Sequence, residues 1–421
     1  MRVAPAADRD APPPEEPLGR NRDFLTVLFG QGISSFGDSI SNTAMPLLVL
    51  ALTGSGFAMG IVGVLSTLPD LIVGLPAGAY ADRWDRRKMM FSADLGRAFL
   101  TALIPLSVWL AGPTLAMVML VAFPINVLRV LWLAAYTAAV PGLVGRPQVP
   151  RANAIFEAVF NLGWIAGPAL AGLLAQAIGP GPTIAIDALS FLVSAGAMLL
   201  IRRPLRPAVR SVPTHILADV REGISFVAGQ RTLRAVLILW TTMSILTAGV
   251  GTAMIFFVTV DQGLGSAAVG IVLSSFAVGS LAGALIAARL SVRSVGRAML
   301  LGAVGTGVSL LVLAAGPPVG VMAAAAFVAG ILNANTMVAY ISLRTMLSPD
   351  ALLGRVGATA RTLSVGLMPV GSLVTGILLD VIGGAITLLL MGAGMVAAAA
   401  LFALLPDVRR ARLPNPAPAQ A

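Results

Sequence analysis

The stretch Gly74–Lys88, GLPAGAYADRWDRRK, decides how the chain is organised. It begins inside one apolar segment and ends just before the next. Asp82 to Lys88 hold two acids, three arginines and the only lysine of the chain. Because charge this dense is not stable in hydrocarbon, the stretch predicts a short polar loop between two membrane-spanning helices. Basic residues in short loops resist translocation, so we expect this loop on the cytoplasmic side.

The composition predicts an all-α polytopic membrane protein. The chain has 421 residues, of which 57% are hydrophobic and 11% are charged, whereas soluble domains average about 25% charged. Its apolar runs are long and do not alternate, which excludes a transmembrane barrel. The net charge of +10 lies in loops on one face, which favours positive-inside topology over nucleic-acid binding. The chain has no cysteine and one histidine, His215, in a predicted cytoplasmic loop. Its residues show no catalytic or metal-ligand spacing, so we expect no enzyme activity and no cofactor.

Twelve apolar segments are long enough to cross a bilayer, and they form two predicted six-helix bundles. The predicted spans are 24–51, 57–81, 91–111, 114–143, 153–178, 183–201, 233–260, 266–288, 298–315, 318–346, 357–382 and 385–405. The predicted divisions are a cytoplasmic tail 1–22, a bundle 23–201, a linker 202–232 with an amphipathic helix, a bundle 233–405 and a tail 406–421. Of the turns between the spans, only the even-numbered ones contain Arg or Lys, which predicts that both termini are cytoplasmic.

The two halves of the chain look like copies of each other. A shift of 204 residues places Arg151 on Arg355, Gly167 on Gly371, Gly172 on Gly376 and Tyr136 on Tyr340. The fifth and eleventh spans are therefore predicted to be equivalent. Two related bundles around a central site are the architecture of transporters that work by alternating access.

The opening loop resembles a signature of the major facilitator superfamily, G-x-x-x-D-R-x-G-R-R/K. The matching residues are Gly78, Asp82, Arg83, Arg86, Arg87 and Lys88. Asp85 stands where the signature usually has glycine. The resemblance implies a conformational latch in which Gly78 lets two helices approach closely. Asp82 would face the N-terminus of a neighbouring helix, and the arginines would bridge to acids or carbonyls. The alternative is a charge cluster that only fixes orientation.

The fifth span resembles the antiporter signature of exporting members of that superfamily, G-x-x-x-G-P-x-x-G-G. Gly163, Gly167, Pro168 and Gly172 match it, and Ala171 replaces one glycine. The proline and glycines are expected to bend the helix and pack it closely. The alternative is ordinary packing through small residues. Residues 22–405 resemble the enterobactin-exporter and macrolide-efflux branch of the superfamily. The resemblance rests on the stretches SSFGDSI, ADRWDRRK, RANAIFEA and LLGRVGAT.

Charged residues inside the predicted spans are the candidates for proton coupling. A charge at the bilayer centre costs about 2.5–3.5 kcal/mol on insertion scales, so it is expected to face a cavity or a partner. We hypothesise that Asp38 or Glu157 carries the proton and that Arg129 modulates it. The alternative is a static ion pair. Asp94 and Arg97, three residues apart, are expected to pair with each other or with the loop.

Polar and aromatic residues within the spans are candidates for lining a substrate cavity, since Trp and Tyr suit amphipathic ligands. They are Gln31, Asn42, Asn126, Tyr136, Asn161, Trp164, Trp240, Asn333, Asn335 and Tyr340. For each of them, helix packing or anchoring at the lipid interface is an equally good interpretation.

We therefore predict a monomeric secondary transporter in the cytoplasmic membrane that exports an amphipathic small molecule, of drug, macrolide or siderophore type, in exchange for protons. The chain has no G-x-x-x-x-G-K-[ST] loop, so ATP is not the predicted energy source. An importer or a lysophospholipid-type flippase on the same fold is the first alternative. A non-transporting membrane sensor is the second.

Overall fold

The computed structural model describes residues 16–110, 112, 114–205, 216–289, 294–349 and 352–412. The far ends of the two predicted tails and His215 lie outside these residues. Within them, every regular element is a helix. The confirmed fold class is an all-helical membrane protein of two six-helix bundles.

The N-terminal bundle contains six spans, the last of them in two pieces. They are α1 Arg22–Thr53, α2 Gly56–Ala81, α3 Arg86–Leu110, α4 Leu115–Val144, α5 Val149–Ile178, and α6 Pro180–Thr183 with α7 Ala185–Leu200. After the linker helix α8 Ile216–Gly229, the C-terminal bundle follows. It contains α9 Arg231–Thr247 with α10 Val250–Phe256, α11 Ser266–Arg289, α12 Val295–Ala314, α13 Val319–Leu347, and α14 Leu353–Gly366 with α15 Met368–Ala403. A four-residue helix, α16 Pro406–Arg409, ends the described chain.

The number of spans follows from helix length and hydropathy. Ten segments of the described chain are long and apolar enough to cross a membrane. The last of them, Leu353–Ala403, has 51 residues and turns at Gly383, where φ is 79°. Because this backbone conformation is accessible mainly to glycine, the turn divides the segment into two spans. Helix α1 is not one of the ten segments, because its polar and charged residues lower its hydropathy. With 32 residues it is long enough to cross the membrane, and it brings the number of spans to twelve.

The two bundles repeat each other in their packing. A methyl group added at Gly167 would lie 2.2 Å from Oγ of Ser39, so α5 packs directly on α1. One added at Gly371 would lie 2.3 Å from the carbonyl oxygen of Ile245, so α15 packs equally closely on α9. The 204-residue shift therefore relates glycines with the same packing role in the two halves.

Both ends of the described chain lie on one side of the bundles, which we call the terminal side. Here the linker helix α8 packs on α14. A methyl group at Gly223 would lie 2.7 Å from the carbonyl oxygen of Arg355, and Arg355 forms an ion pair of 2.5 Å with Glu222. The linker helix is thereby attached to the C-terminal bundle.

Candidate transport site

Two glycine-lined seams join the bundles on the side opposite the termini; together we call them the seal. In the first seam, between α5 and α11, a methyl group at Gly172 would lie 2.4 Å from the carbonyl oxygen of Ser266. In the second, between α2 and α15, a methyl group at Gly60 would lie 3.0 Å from Cα of Gly376. Because only hydrogen fits at such backbone contacts, the seal closes this side of the molecule.

A hydrogen-bonding cap completes each seam. Asp380 on α15 accepts hydrogen bonds from the N–H groups of Gly56 at 2.5 Å and Phe57 at 3.1 Å, where α2 begins. Gln176 on α5 accepts one from the N–H of Ala267 at 3.2 Å, where α11 begins. The two caps are separated by 204 residues in sequence. Each satisfies N–H groups that a helix N-terminus leaves without partners, so both stabilise the closed seal.

The bundles separate toward the terminal side. One face of α5 carries Glu157, Asn161, Pro168 and Gly172. The last three follow Glu157 by 4, 11 and 15 residues, which are close to whole turns of a helix. Pro168 and Gly172 contact α11, whereas Glu157 and Asn161 are exposed. The face of α5 that packs on the other bundle in the seal is therefore not covered by that bundle nearer the terminal side. Trp164, which is 42% exposed, lies one turn beyond Asn161. This uncovered face of α5 is the candidate wall of a central cavity that would open to the terminal side.

A charged group bridges the two bundles. Arg129 on α4 forms an ion pair of 2.5 Å with Asp70 on α2, and its Nε donates to Asn126 at 3.1 Å. Arg361 on α14 lies 4.0 Å from the same carboxylate. Sequence reasoning missed Asp70, although an acid within an apolar span was the available signal. Arg129 is close enough to Asp38 to interact with it electrostatically, but its hydrogen bonds go to Asp70 and Asn126.

A second charged group, the acid cluster, is buried within the N-terminal bundle and consists of Asp38, Asp94, Arg97 and Asp187. Arg97 forms an ion pair with Asp38 and lies 3.8 Å from Asp94. Its guanidinium also lies over the ring of Phe191 at 3.9 Å. The expected pairing of Asp94 with Arg97 is present, but Asp38 is the closer partner. The cluster thus contains three carboxyl groups and one guanidinium.

The acids of the cluster differ in how they are held. Asp94 accepts hydrogen bonds from Nε1 of Trp132 at 3.0 Å and Oγ of Ser194 at 2.7 Å. Asp187 accepts one from Oγ of Ser190 at 3.2 Å. Sequence reasoning missed Asp187 entirely. Its signal was the same as that of Asp70, an acid inside an apolar span.

The basic side chains of the opening loop bond to carbonyl groups of their own bundle. Nε of Arg87 donates to Met198 at 2.8 Å and Nη2 to Leu199 at 2.5 Å, at the end of α7. Nε of Arg86 donates to Ala81 at 3.2 Å. These bonds fix the loop against the helix ends that surround it.

Two residues of the loop behave differently from the expectation. A methyl group at Gly78 would meet no heavy atom within 4 Å, so Gly78 does not serve a close helix contact here and that prediction is corrected. Asp85, the departure from the signature, accepts from the N–H groups of Arg87 at 3.1 Å and Lys88 at 3.4 Å. Its carboxylate therefore caps the start of α3, as an acid at this position does well and glycine cannot. Asp82 ends α2, and Arg83 and Lys88 are exposed.

The two tyrosines expected in the cavity are instead core residues. Tyr136 is stacked on Phe156, with ring centroids 4.2 Å apart, and Tyr340 on Trp240 at 4.9 Å. Both tyrosines are buried. Stacking and burial of a large apolar ring stabilise this placement more than exposure to a cavity would. Gln31 is buried as well, so it does not line a cavity here either. The other candidates keep some exposure: Asn42, Asn126, Asn161, Trp164, Trp240, Asn333 and Asn335.

These features define a multi-pass membrane transporter whose two bundles are packed together on the side opposite the termini. The family described as transmembrane secretion effector matches residues 16–416. The chain belongs to this family, within the efflux branch of the major facilitator superfamily, and it is a transporter rather than an enzyme. It resides in the cell membrane and acts on a small-molecule substrate.

Several bacterial relatives of the chain are named as efflux proteins. The multidrug efflux pump Tap of Mycolicibacterium fortuitum is 30% identical over 394 residues, which are 92% of this chain and 96% of that protein. Macrolide efflux protein A of Streptococcus pyogenes is 26% identical over 219 residues, 52% of this chain and 54% of that protein.

Solved structures share the fold at low sequence identity. The nucleoside transporter NupG has a TM-score of 0.75 at 12% identity, covering 91% of this chain and 99% of its own. A bacterial homologue of the human lysosomal transporter Spinster, solved in an inward-facing and unoccupied conformation, has a TM-score of 0.73 at 13% identity and covers 94% of this chain and 99% of its own. These likenesses establish the fold alone.

Proposed function

We propose that the chain exports amphipathic small molecules from the cytoplasm in exchange for protons, by alternating access and as a monomer. The observation that carries this proposal is the course of α5. Its one face is sealed at Gly172 and open at Glu157. The basic loops favour a cytoplasmic terminal side, so the cavity of this conformation would load from the cytoplasm. Similarity to a multidrug efflux pump over most of both chains supports export.

The cavity walls suit a substrate with an apolar body and a polar or charged group. Trp164 offers an exposed indole face, and Asn161 offers an amide one turn away. Glu157, also exposed, offers a carboxylate on the same face of α5. Such a combination of a flat apolar surface with a few polar groups is typical of small-molecule sites.

The alternative of a non-transporting sensor is less well supported. It predicts that the charged groups are confined to separate contacts within each bundle. Asp70 instead lies between Arg129 of its own bundle and Arg361 of the other. Charged contacts across the bundle interface are expected to form and break as the two bundles move.

The test is the accumulation of a panel of fluorescent amphipathic compounds in cells that do or do not express the protein. We expect lower accumulation of some compounds in expressing cells, and recovery when a protonophore collapses the proton gradient. Membrane levels of the protein, measured in parallel, serve as the control. Higher accumulation in expressing cells would mean import and would overturn the proposal. Export that persists after the gradient collapses would exclude proton coupling.

A further inference from the structure

Asp187 is the least compensated acid of the acid cluster. Asp38 has the guanidinium of Arg97 as its partner, and Asp94 receives two hydrogen bonds in addition to Arg97 at 3.8 Å. Asp187 is 3% exposed; it receives a hydroxyl hydrogen bond of 3.2 Å from Ser190, has the hydroxyl of Ser41 nearby, and forms no ion pair within 4 Å among the described residues. The hydroxyl of Ser190 also lies 2.8 Å from the carbonyl oxygen of Asp187, which competes for its single proton.

The charges of the cluster do not balance. Three ionised carboxylates beside one guanidinium would bury an excess of negative charge, which proteins avoid by neutralising a group. Two other atoms of the cluster, Oδ1 of Asp94 and Nε of Arg97, are buried without a hydrogen-bond partner among the described residues. A proton on the least compensated carboxyl group removes one of the excess negative charges of the cluster.

The described surroundings of the cluster differ between its two sides. Between α1 and α7, on the other side of Ser190, lies an apolar groove of about 320 Å³, lined by side chains such as Phe36 and Leu189. Water is not expected to carry protons through such a surface. On the opposite side lies Asp38, whose side chain is 19% exposed and which is close to Arg129 at the central cavity.

The helix α1 connects the cluster with the seal. A methyl group at Gly37 would lie 2.6 Å from Oδ1 of Asp187, so α1 lies directly against this carboxyl group. Two residues on, Ser39 contacts Gly167 of α5. A movement of α5 at the seal would therefore reach Asp187 through one rigid helix.

We propose that Asp187 is the residue that carries the transported proton. In this conformation it is a neutral carboxylic acid. When substrate enters the cavity of this conformation, the O–H proton of Asp187 passes to the carboxylate of Asp38 and from there to water on the cytoplasmic side, and Asp187 becomes a carboxylate. Asp187 takes up a proton again after the bundles have rearranged to open the opposite side. Its place in the first turn of α7, together with Ser190, stabilises the ionised form. This inference rests on the proposed proton coupling, and it names the proton site.

Few charged groups of the described residues face Asp187. They are Asp38 on α1 and Arg97 on α3, with Asp94 behind Arg97. A neutral isostere at position 187 should therefore be tolerated, since it resembles the protonated acid. A neutral residue at position 38 should not, since it removes the close partner of Arg97.

The experiment compares two kinds of transport by the purified protein in liposomes, with a fluorescent amphipathic quaternary ammonium cation as the probe, because its fixed charge prevents passive accumulation along the pH gradient. Exchange of labelled for unlabelled probe needs no net proton movement, whereas uphill transport under a pH gradient does. With the membrane potential clamped at zero, a gradient of one pH unit is worth about 1.4 kcal/mol and supports about tenfold accumulation at one proton per probe. The variants are Asp187→Asn, Asp187→Glu and, as the matched control, Asp407→Asn at the exposed C-terminal end.

We expect Asp187→Asn to keep exchange and thermal stability but to lose uphill transport. Asp187→Glu should keep both kinds of transport, and so should Asp407→Asn. Uphill transport by Asp187→Asn would overturn the inference, and so would a failure of this variant to fold or to exchange. If the wild-type protein exchanges the probe but ignores the pH gradient, the proposed proton coupling itself fails. If instead the wild type and Asp187→Asn both transport the probe uphill, the proton coupling stands and only the role of Asp187 is refuted.

Discussion

Arg97→Met is expected to destabilise the folded protein by about 3–5 kcal/mol, the usual effect of removing one partner from a buried ion pair. Arg97 is the only cation of the acid cluster, and its side chain is 2% exposed. Without it, Asp38 and Asp94 lose their positive partner inside the bundle. The contact between the guanidinium and the ring of Phe191 is lost as well.

The measurement is the thermal unfolding midpoint of the purified protein in detergent. Arg97→Lys, which keeps the charge but loses the planar donor group, is the control and should be intermediate. The double variant Arg97→Met with Asp38→Asn should recover part of the loss, because it removes one of the stranded carboxylates. An unchanged midpoint for Arg97→Met would contradict the buried ion pair.

Gly172→Leu is expected to abolish most transport while leaving the protein folded. A methyl group at this position would already lie 2.4 Å from the carbonyl oxygen of Ser266 and 3.0 Å from the backbone of Gly270. Overpacking of this kind costs about 1–3 kcal/mol, and it acts on the closed seal alone. A bias of that size changes the ratio of two conformations by about 5- to 150-fold. The transporter would therefore spend little time in the conformation described here.

Gly196→Leu is the matched control for this prediction. Gly196 is also a helical glycine, on α7, but a methyl group there would meet nothing within 4 Å. The two variants therefore add the same side chain to a helix in a membrane. Export should fall strongly for Gly172→Leu and little for Gly196→Leu. Equal effects would mean that the loss reflects the added side chain rather than the seal.

The fold was predictable because hydropathy and the distribution of Arg and Lys act over whole spans. Twelve apolar runs and basic even-numbered turns left few alternatives. The repeat was visible for the same reason, since Gly172 and Gly376 occupy equivalent places in the two seams. The structure adds one detail. The capped N–H groups at the equivalent starts of α2 and α11 belong to Phe57 and Ala267. These residues are 210 rather than 204 residues apart.

The charged contacts were predictable only in part, because partners in a helix bundle are distant in sequence. Asp38 and Arg97 are 59 residues apart, and so are Asp70 and Arg129. An acid within an apolar span indicates that a partner is needed, but it does not indicate which residue is that partner. For this reason Asp38 was recognised as a candidate, while its partner was sought in Arg129. Tyr136 was misplaced because an aromatic ring suits a core and a cavity wall equally well.

The most direct test of alternating access is a reversible lock on the seal. The chain has no cysteine, so an introduced pair is the only possible disulfide. A Cβ at Gly63 would lie 3.4 Å from Cβ of Ser372, across the seam between α2 and α15, close to the about 3.5–4.5 Å that a disulfide needs. We would measure export by Gly63→Cys/Ser372→Cys before and after oxidation, with each single variant as a control. The account predicts that oxidation stops export in the double variant alone and that reduction restores it. Full export with the disulfide formed would show that the seal does not open during transport and would contradict the account.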